Sequence, residues 1–319
     1  MTSILVTGGA GFIGSHLGEH LLRGGHRLTV VDNLDDYYPA PLKLANLDEV
    51  RRAGAFEFFP VDIRAAARLQ EVFAKTRPEA VVHLAARAGV RASLLDPDLY
   101  ASVNIQGTLN LLEASRKSGV RRFVFASSSS VYGQASHVPF AEDDPVTKPL
   151  SVYGATKISG EALASAYAHL YPISVVCLRI FTAFGPRQRP DLAIRKFAQL
   201  IEERQEIPFY GDGSMQRDYT YIDDVVAAIE RALEYDCSFE IFNLGNSRPV
   251  RLDYMIQTLE EALGIKAARR PLPPQPGEML VTYADLTKSR RLLGYDPQVG
   301  FEDGIRRFVE WLRRYSLPG

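Results

Sequence analysis

The sequence predicts an α/β protein: a doubly wound parallel sheet with a smaller C-terminal α/β lobe packed over the strand ends. Three observations carry this. Short β-rich runs alternate with helical patterns as far as residue 180, a glycine-rich turn separates the first such run from the first helical pattern, and the rhythm breaks after Ile180. Alternation of this kind implies parallel strands joined by crossover helices on both faces. Ligands of such sheets bind beyond the carboxyl ends of the strands.

The predicted strands are residues 4–7, Arg27–Val31, residues 56–60, 80–84 and 121–126, and Ser174–Ile180. Each is a short apolar run bounded by turn or helical signals. The stretches between them carry apolar residues at helical spacing, as Leu109, Leu112 and Ala114 do within residues 98–118. Beyond Ile180 the sequence predicts a turn-rich segment at 183–190 and an amphipathic helix around 192–203. Pro208, a Gly-Asp-Gly turn at 211–213, a helix near 223–234, a strand at 240–244 and a proline-rich loop at 271–277 follow. The first domain is therefore placed at residues 1–180 and the second mainly at 181–319, with 240–244 open to rejoining the first sheet. No internal repeat or low-complexity tract is visible.

Composition sets the outer limits. The 319 residues are 46% hydrophobic and 24% charged, ordinary for a globular chain with a substantial core. A net charge of −1, from 37 basic and 38 acidic side chains, gives no long-range bias toward nucleic acid or an anionic membrane. Any bound anion must be held by local devices: loops, helix ends and single arginines. Cys177 and Cys237 read as small buried hydrophobes, without disulfide or metal-ligand spacing, so no metal is expected. The chain opens on a strand-like run rather than a basic leader with a long apolar core, and no apolar stretch reaches the roughly 18 residues of a membrane span. The expected location is cytoplasmic.

The glycine turn reads as a dinucleotide cradle. Strand 4–7 runs into Gly8, Gly9, Ala10, Gly11, Phe12, Ile13 and Gly14, then into a helical pattern. The first glycine permits the tight turn. Gly11 lets backbone amides approach a pyrophosphate at the helix N-terminus, and Gly14 lets the helix lie close to the sheet. The strand-turn-helix context is what separates this motif from an ordinary glycine turn. Asp32 ends the second strand, where a carboxylate accepts hydrogen bonds from both ribose hydroxyls of NAD and repels the 2′-phosphate of NADP. Asn33 follows it, and no arginine does. Asp62 and Ile63 follow the third strand, on the adenine side. Leu84, Ala85 and Ala86 follow the fourth, where small side chains leave room for the cofactor.

Tyr153 and Lys157 stand four apart in a helical pattern and share one face. A free tyrosine has a pKa of about 10, so ionising it near pH 7 costs about 4 kcal/mol. A cation about 4 Å away at an effective dielectric of about 20 supplies about 4 kcal/mol. The expectation is that Lys157, aided by a positive nicotinamide ring, lets Tyr153 act as general base on a substrate hydroxyl. The spacing alone also describes a surface Tyr–Lys pair, and its weight comes from the glycine turn and from Ser127, Ser128, Ser129 and Ser130 after the fifth strand. Hydroxyls at that strand end can bond the reacting oxygen.

Glycines spaced three apart (Gly8, Gly11, Gly14), together with Tyr153 and Lys157, resemble the extended short-chain dehydrogenase/reductase family, NAD-dependent epimerase/dehydratase type, over essentially the whole chain. The resemblance implies a Rossmann-type sheet, bound NAD and a nucleotide-sugar substrate. Through Val131, Tyr132 and Gly133 it gives Ser128 the catalytic serine/threonine position, holding and polarising the sugar C4 oxygen. Dehydrating members carry Asp-Glu at the next two positions and decarboxylating members a glutamate at the second. Here stand Ser129 and Ser130, which favours epimerisation: hydride leaves C4 and returns to the other face.

Residues 32–38, 88–91, 127–133, 189–191, 217–224 and 275–285 resemble the UDP-glucuronate 4-epimerases of bacteria and plants, a branch of that family. The resemblance implies that Thr182 and Arg189 meet the substrate carboxylate, Arg217 the UDP phosphates and Glu278 the uridine ribose, with Ser129 beside the substrate. Arg91 is open to substrate or to cofactor phosphate. Two departures stand out: Glu278 replaces an aspartate, and Arg187 and Gln188 replace Trp-Gly. Thr182 is a further hint toward this branch, since UDP-galactose epimerases carry asparagine there. A small Thr282 at those enzymes' gate position also leaves room for an N-acetyl sugar.

The alternatives are a UDP-glucose or UDP-N-acetylglucosamine 4-epimerase on the same machinery, the family's other reactions, and a non-catalytic NAD-sensing protein. The last has no need of Tyr153, Lys157 and Ser128 together. The resemblance also implies a homodimer paired through helices near residues 100–118 and 152–170.

Overall fold

Ile4, Leu5 and Val6 are buried, so their strand has no solvent-facing side, as a central strand of a parallel sheet requires. The computed structural model describes residues 1–134, 137–273 and 279–316. In chain order the elements of the first half are β1 (Ser3–Thr7), α1 (Phe12–Arg23), β2 (Arg27–Val31), α2 (Ala40–Ala53), β3 (Glu57–Phe59), α3 (Ala66–Thr76) and β4 (Ala80–His83). Next come α4 (Pro97–Ala101), a π-helical turn (Ser102–Gln106), α5 (Gly107–Lys117), β5 (Arg122–Ser128), α6 (Val152–Leu170) and β6 (Ser174–Ile180). The remainder holds β7 (Thr182–Phe184), α7 (Ala193–Glu202), β8 (Glu206–Tyr210), β9 (Gln216–Tyr221), α8 (Ile222–Glu234) and β10 (Phe239–Leu244). It closes with β11 (Pro249–Arg251), α9 (Leu252–Leu263), β12 (Ala268–Leu272), β13 (Val281–Thr282) and α10 (Phe301–Ser316).

Seven strands form the main sheet in the order β10-β6-β5-β4-β1-β2-β3, every neighbouring pair parallel. The strand order reverses between β1 and β4, which opens a crevice above their carboxyl ends. Apolar clusters fill both faces: Val6, Leu17 and Val30 lie in one, Leu5, Leu69 and Phe123 in the other. The smaller lobe is a mixed sheet on β9, with β7 and β13 parallel and β11 antiparallel to it, and a separate parallel pair, β8 with β12. Phe301 of α10 packs 5.3 Å from Phe184 and 5.2 Å from Tyr219, centroid to centroid, tying that lobe's helix to its sheet.

The structure answers one open point of the sequence reading and differs from it at others. Segment 240–244 rejoins the main sheet, as β10 pairs with β6 from Phe239 to Leu244. Its Phe242 and Leu244 are fully buried although β10 is the edge strand, because their side chains join the core on the sheet's face. Pro271 and Leu272, read as loop, belong to β12 and pair with Phe209 and Tyr210. A proline is tolerated there, and Pro208 in β8, because each strand has one neighbour and a free edge. Ala183 and Phe184, read as turn, form β7. Cys177 is fully buried, but Cys237 is only half-buried, and both are free thiols. No helix among the described residues is long and apolar enough to cross a membrane.

Candidate active site

The crevice at the strand reversal is a cleft of about 450 Å³. Gly8, Gly11, Phe12, Ile13, Gly14, Asp32, Asn33, Asp62, Ile63, Leu84, Ala85 and Ala86 line its cofactor side. Tyr153 and Lys157 adjoin them, and Ser128, Ser129, Thr182 and Arg189 line the rest. The structure thus brings together every predicted cofactor residue, the three predicted catalytic ones and, besides Ser128, three more of the substrate set.

Gly8 has a left-handed backbone (φ 71°), and its amide donates to the Val31 carbonyl at 2.8 Å. A β-carbon on Gly14 would stand 2.2 Å from the Gly8 carbonyl oxygen, so only glycine lets α1 start this close to β1. Gly11 caps α1 with no side-chain hydrogen bond, and the first-turn amides remain free for an anion. Asp32 is buried, its two oxygens accepting from the amides of Ala10 at 3.0 Å and Leu34 at 2.9 Å. Burial raises its pKa, with the Leu34 amide, Lys43 and the Ala10 amide opposing. Each oxygen keeps a lone pair, which suits two ribose hydroxyls. Asn33 donates to Asp62 at 3.0 Å, closing the adenine end. These residues fit a dinucleotide.

Helix α6 places the chemistry. Ser151 caps it by accepting from the Gly154 amide at 3.0 Å, and Tyr153, Lys157 and Glu161 then follow at successive turns of one face. The Lys157 ammonium donates to the Ala126 carbonyl at 2.6 Å. Burial pushes its pKa down to about 8, with Glu161 opposing. Burial also raises Tyr153, while a hydrogen bond with Ser128 and the charge of Arg189 pull it back. The Lys157 ammonium lies 5.9 Å from the centroid of the Tyr153 ring.

Two predicted substrate residues lie elsewhere. Arg91 is exposed and sits 5.3 Å from the Tyr210 ring centroid, bridging to the smaller lobe. Arg217 donates to the carbonyls of Gln216 at 2.8 Å and Met279 at 2.9 Å. Neither lines the cleft. Glu278 lies outside the described residues. Arg187, which replaces the expected tryptophan, turns away from the cleft. It pairs with Glu19 and donates to the His16 ring at 3.2 Å. Gln188 is buried and donates to the Ala183 carbonyl at 3.2 Å. That departure therefore leaves Arg189 undisturbed.

Several supporting residues escaped the sequence reading. Glu161 holds buried Arg179 through two bonds of 3.0 and 2.9 Å and accepts from Ser127 at 2.5 Å. Its position four after Lys157 was a usable signal. Asn104, in the π-helical turn, bonds both the amide and the carbonyl of Arg87 and donates to Thr156 at 3.0 Å, bracing the loop after β4 against α6. His83 bridges Thr7 at 2.8 Å and Thr108 at 2.9 Å beneath the glycine turn. Asp191 accepts from Arg189 at 2.9 Å through both Nε and Nη2, a spacing of two that was also readable.

A glycine cradle on a doubly wound sheet, opening on a Ser–Tyr–Lys set, defines a dinucleotide-dependent enzyme that moves hydride and proton at a substrate hydroxyl or ketone. The comparisons with known proteins agree and go further. Residues 4–245 match the model of the NAD dependent epimerase/dehydratase family, and the chain belongs to that family. It is 43% identical to a UDP-glucuronate 4-epimerase of Thermodesulfobacterium geofontis, over 96% of this chain and 95% of that one. Its structure is similar to that of a Bacillus cereus UDP-glucuronic acid 4-epimerase in complex with UDP-glucuronic acid and NAD (TM-score 0.91, 37% identity, 98% of this chain and 99% of that one). It is also similar to a Thermotoga maritima UDP-glucose 4-epimerase with UDP-glucose (TM-score 0.90, 35% identity, 98% and 99%).

Proposed function

We propose that this protein is an isomerase, an NAD-dependent nucleotide-sugar 4-epimerase that interconverts UDP-glucuronate and UDP-galacturonate through a 4-keto sugar. The observation that carries the substrate is Arg189: a guanidinium on the cleft wall, close enough to act electrostatically on Tyr153. A fixed cation there suits a sugar whose C5 substituent is a carboxylate. The Thermodesulfobacterium geofontis and Bacillus cereus relatives are UDP-glucuronate 4-epimerases, and the family is NAD-dependent.

Bound NAD supplies a hydride acceptor that is regenerated within each cycle, so the reaction has no net redox change. Gly8, Gly11, Gly14 and Asp32 are the residues that hold it. Tyr153 withdraws the C4 hydroxyl proton and returns it after the keto sugar has turned over. Ser128, which lines the cleft with Tyr153, holds the C4 oxygen. Lys157, anchored on Ala126, keeps positive charge at this end of the cleft.

The 4-keto intermediate of a glucuronate is a β-keto acid and can lose carbon dioxide. Arg189, with Thr182, holds the carboxylate so that its bond to C5 stays out of line with the ketone π system. Ser129 and Ser130 offer no acid to complete a decarboxylation. Arg217 is assigned to the UDP phosphates, Glu278 to the uridine ribose, and Arg91 to phosphate on either ligand. A neutral UDP-sugar is the second reading, favoured by the similar Thermotoga maritima enzyme and the small Thr282. The reading also takes residues 1–180 with β10 as the NAD domain and the remainder as the substrate domain. It includes a homodimer, for which Leu95 and Leu170, 88% and 65% exposed near α4 and α6, offer apolar surface, and a cytoplasmic location.

The test is to incubate the purified protein separately with UDP-glucuronate, UDP-glucose and UDP-N-acetylglucosamine, without added reductant, and identify products by NMR. UDP-galacturonate from the first alone supports the carboxylate reading. Turnover of a neutral sugar alone overturns it and leaves the Tyr153 chemistry standing.

A further inference from the structure

Arg189 has five N–H donors, and Asp191 already takes two of them, along the Nε–Nη2 edge. Three remain for a ligand, both on Nη1 and one on Nη2. The guanidinium is therefore offered end-on, in one orientation. Asp191 lies on the outer side, 35% exposed, and Arg189 toward the cleft, 20% exposed. A second brace comes from the loop after β2. Tyr37 lies 5.5 Å, ring centroid to guanidinium, from Arg189 and 5.4 Å from Arg87, stacked between the two cations. Its hydroxyl donates to Asp191 at 3.3 Å, and its own amide is fixed by Asp35 at 2.9 Å. Asp35 in turn pairs with Arg87 at 2.8 Å. Burial opposes the Arg189 charge, and the Asp191 carboxylate more than offsets this, so the cation is secure at any working pH.

We infer that Asp191 and Tyr37 are positioning residues for substrate specificity. They clamp Arg189 from behind and from the side, so that a sugar carboxylate meets only its Nη1–Nη2 end, at the distance that sets C4 against Tyr153. This rests on the UDP-glucuronate reading above. Without Asp191 the Nε–Nη2 edge becomes a second docking edge for the same carboxylate. The substrate then binds at least as tightly but in a displaced register, and a displacement of about 1 Å costs on the order of a hundredfold in rate. Tyr37 belongs to the loop that also carries Asp32, so the cofactor's ribose site and the sugar's carboxylate site share one support.

The experiment measures kcat and KM for UDP-glucuronate in the whole protein and in Asp191→Asn, Asp191→Glu and Tyr37→Phe. Asp191→Asn is expected to lower kcat by about tenfold or more with KM unchanged or reduced. Asp191→Glu is expected to recover part of kcat, and Tyr37→Phe, which keeps the ring and removes one bond, to lose a few-fold. A raised KM with kcat intact, or kcat and KM both unchanged in Asp191→Asn, overturns the inference. If the unmodified protein does not turn over UDP-glucuronate, the substrate reading has failed instead.

Discussion

On the cofactor wall of the cleft, ligand-facing groups are backbone amides and buried side chains fixed to β1, β2 and α6. On the substrate wall Arg189 is a loop side chain whose partner, Asp191, stays open to solvent. Glu161 and Arg179, behind Lys157, are 6% and 3% exposed, whereas Asp191 and Arg189 are 35% and 20% exposed. The first pair is locked by desolvation, since neither charge survives burial without the other. The second depends on geometry, because an exposed pair contributes little to stability. The difference assigns separate tasks: one wall carries chemistry common to every substrate, and the other chooses among substrates.

Four substitutions or conditions sharpen that contrast, or break it. The largest effect is expected from Tyr153→Phe, which removes the proton carrier and should lower kcat about 100- to 10,000-fold on any accepted sugar. NAD released on denaturation should match the unmodified protein, and loss of the cofactor would mean that the two functions of this wall are not separable. Glu161→Gln leaves Arg179 charged, buried and unpaired, so a loss of about 3–5 kcal/mol in urea unfolding is expected. A loss below about 1 kcal/mol would show that this wall is not held by its buried pair.

Arg189→Ala acts on the other wall. It should reduce kcat/KM for UDP-glucuronate by about 10- to 100-fold, the weight of hydrogen bonds to a charged group, and leave stability nearly unchanged. Full retention of activity would remove the carboxylate clamp from the account. The smallest effect concerns His83, which burial, with Lys157 adding to it, holds neutral with a pKa lowered to about 3 from 6.5. The unfolded chain binds the extra proton first, so the contribution is complete above about pH 6.5 and falls away as pH drops toward about 3. Between pH 7 and 5 it should cost roughly 2 kcal/mol. Urea midpoints of the protein and of His83→Gln at both pH values isolate it, and equal acid losses in the two would contradict it.

What was legible in the sequence follows the same division. The glycine turn, Asp32 and the Tyr153–Lys157 spacing are local patterns tied to strand ends and a helix face, so their placement could be read directly. The return of β10 was left open because a six-residue apolar strand carries no address. Its place beside β6 depends on how α8 folds back. Pro271 read as loop because prolines break strands, and only the free edge of β12 explains the exception. The Lys157 anchor was not readable for a different reason: helical spacing fixes a shared face but not where a long side chain ends, and the Ala126 carbonyl accepts from the ammonium. Tyr37 is 154 residues from Asp191, and no pattern along the chain links them.

The most direct test of the account is the fate of hydrogen at C4. UDP-glucuronate carrying deuterium at C4 is incubated with the purified protein, without added NAD or NADH, and the product is examined by NMR. The account predicts UDP-galacturonate with deuterium retained at C4, because the hydride leaves and returns within one cycle. UDP-galacturonate carrying protium at C4, or no UDP-galacturonate, would contradict it.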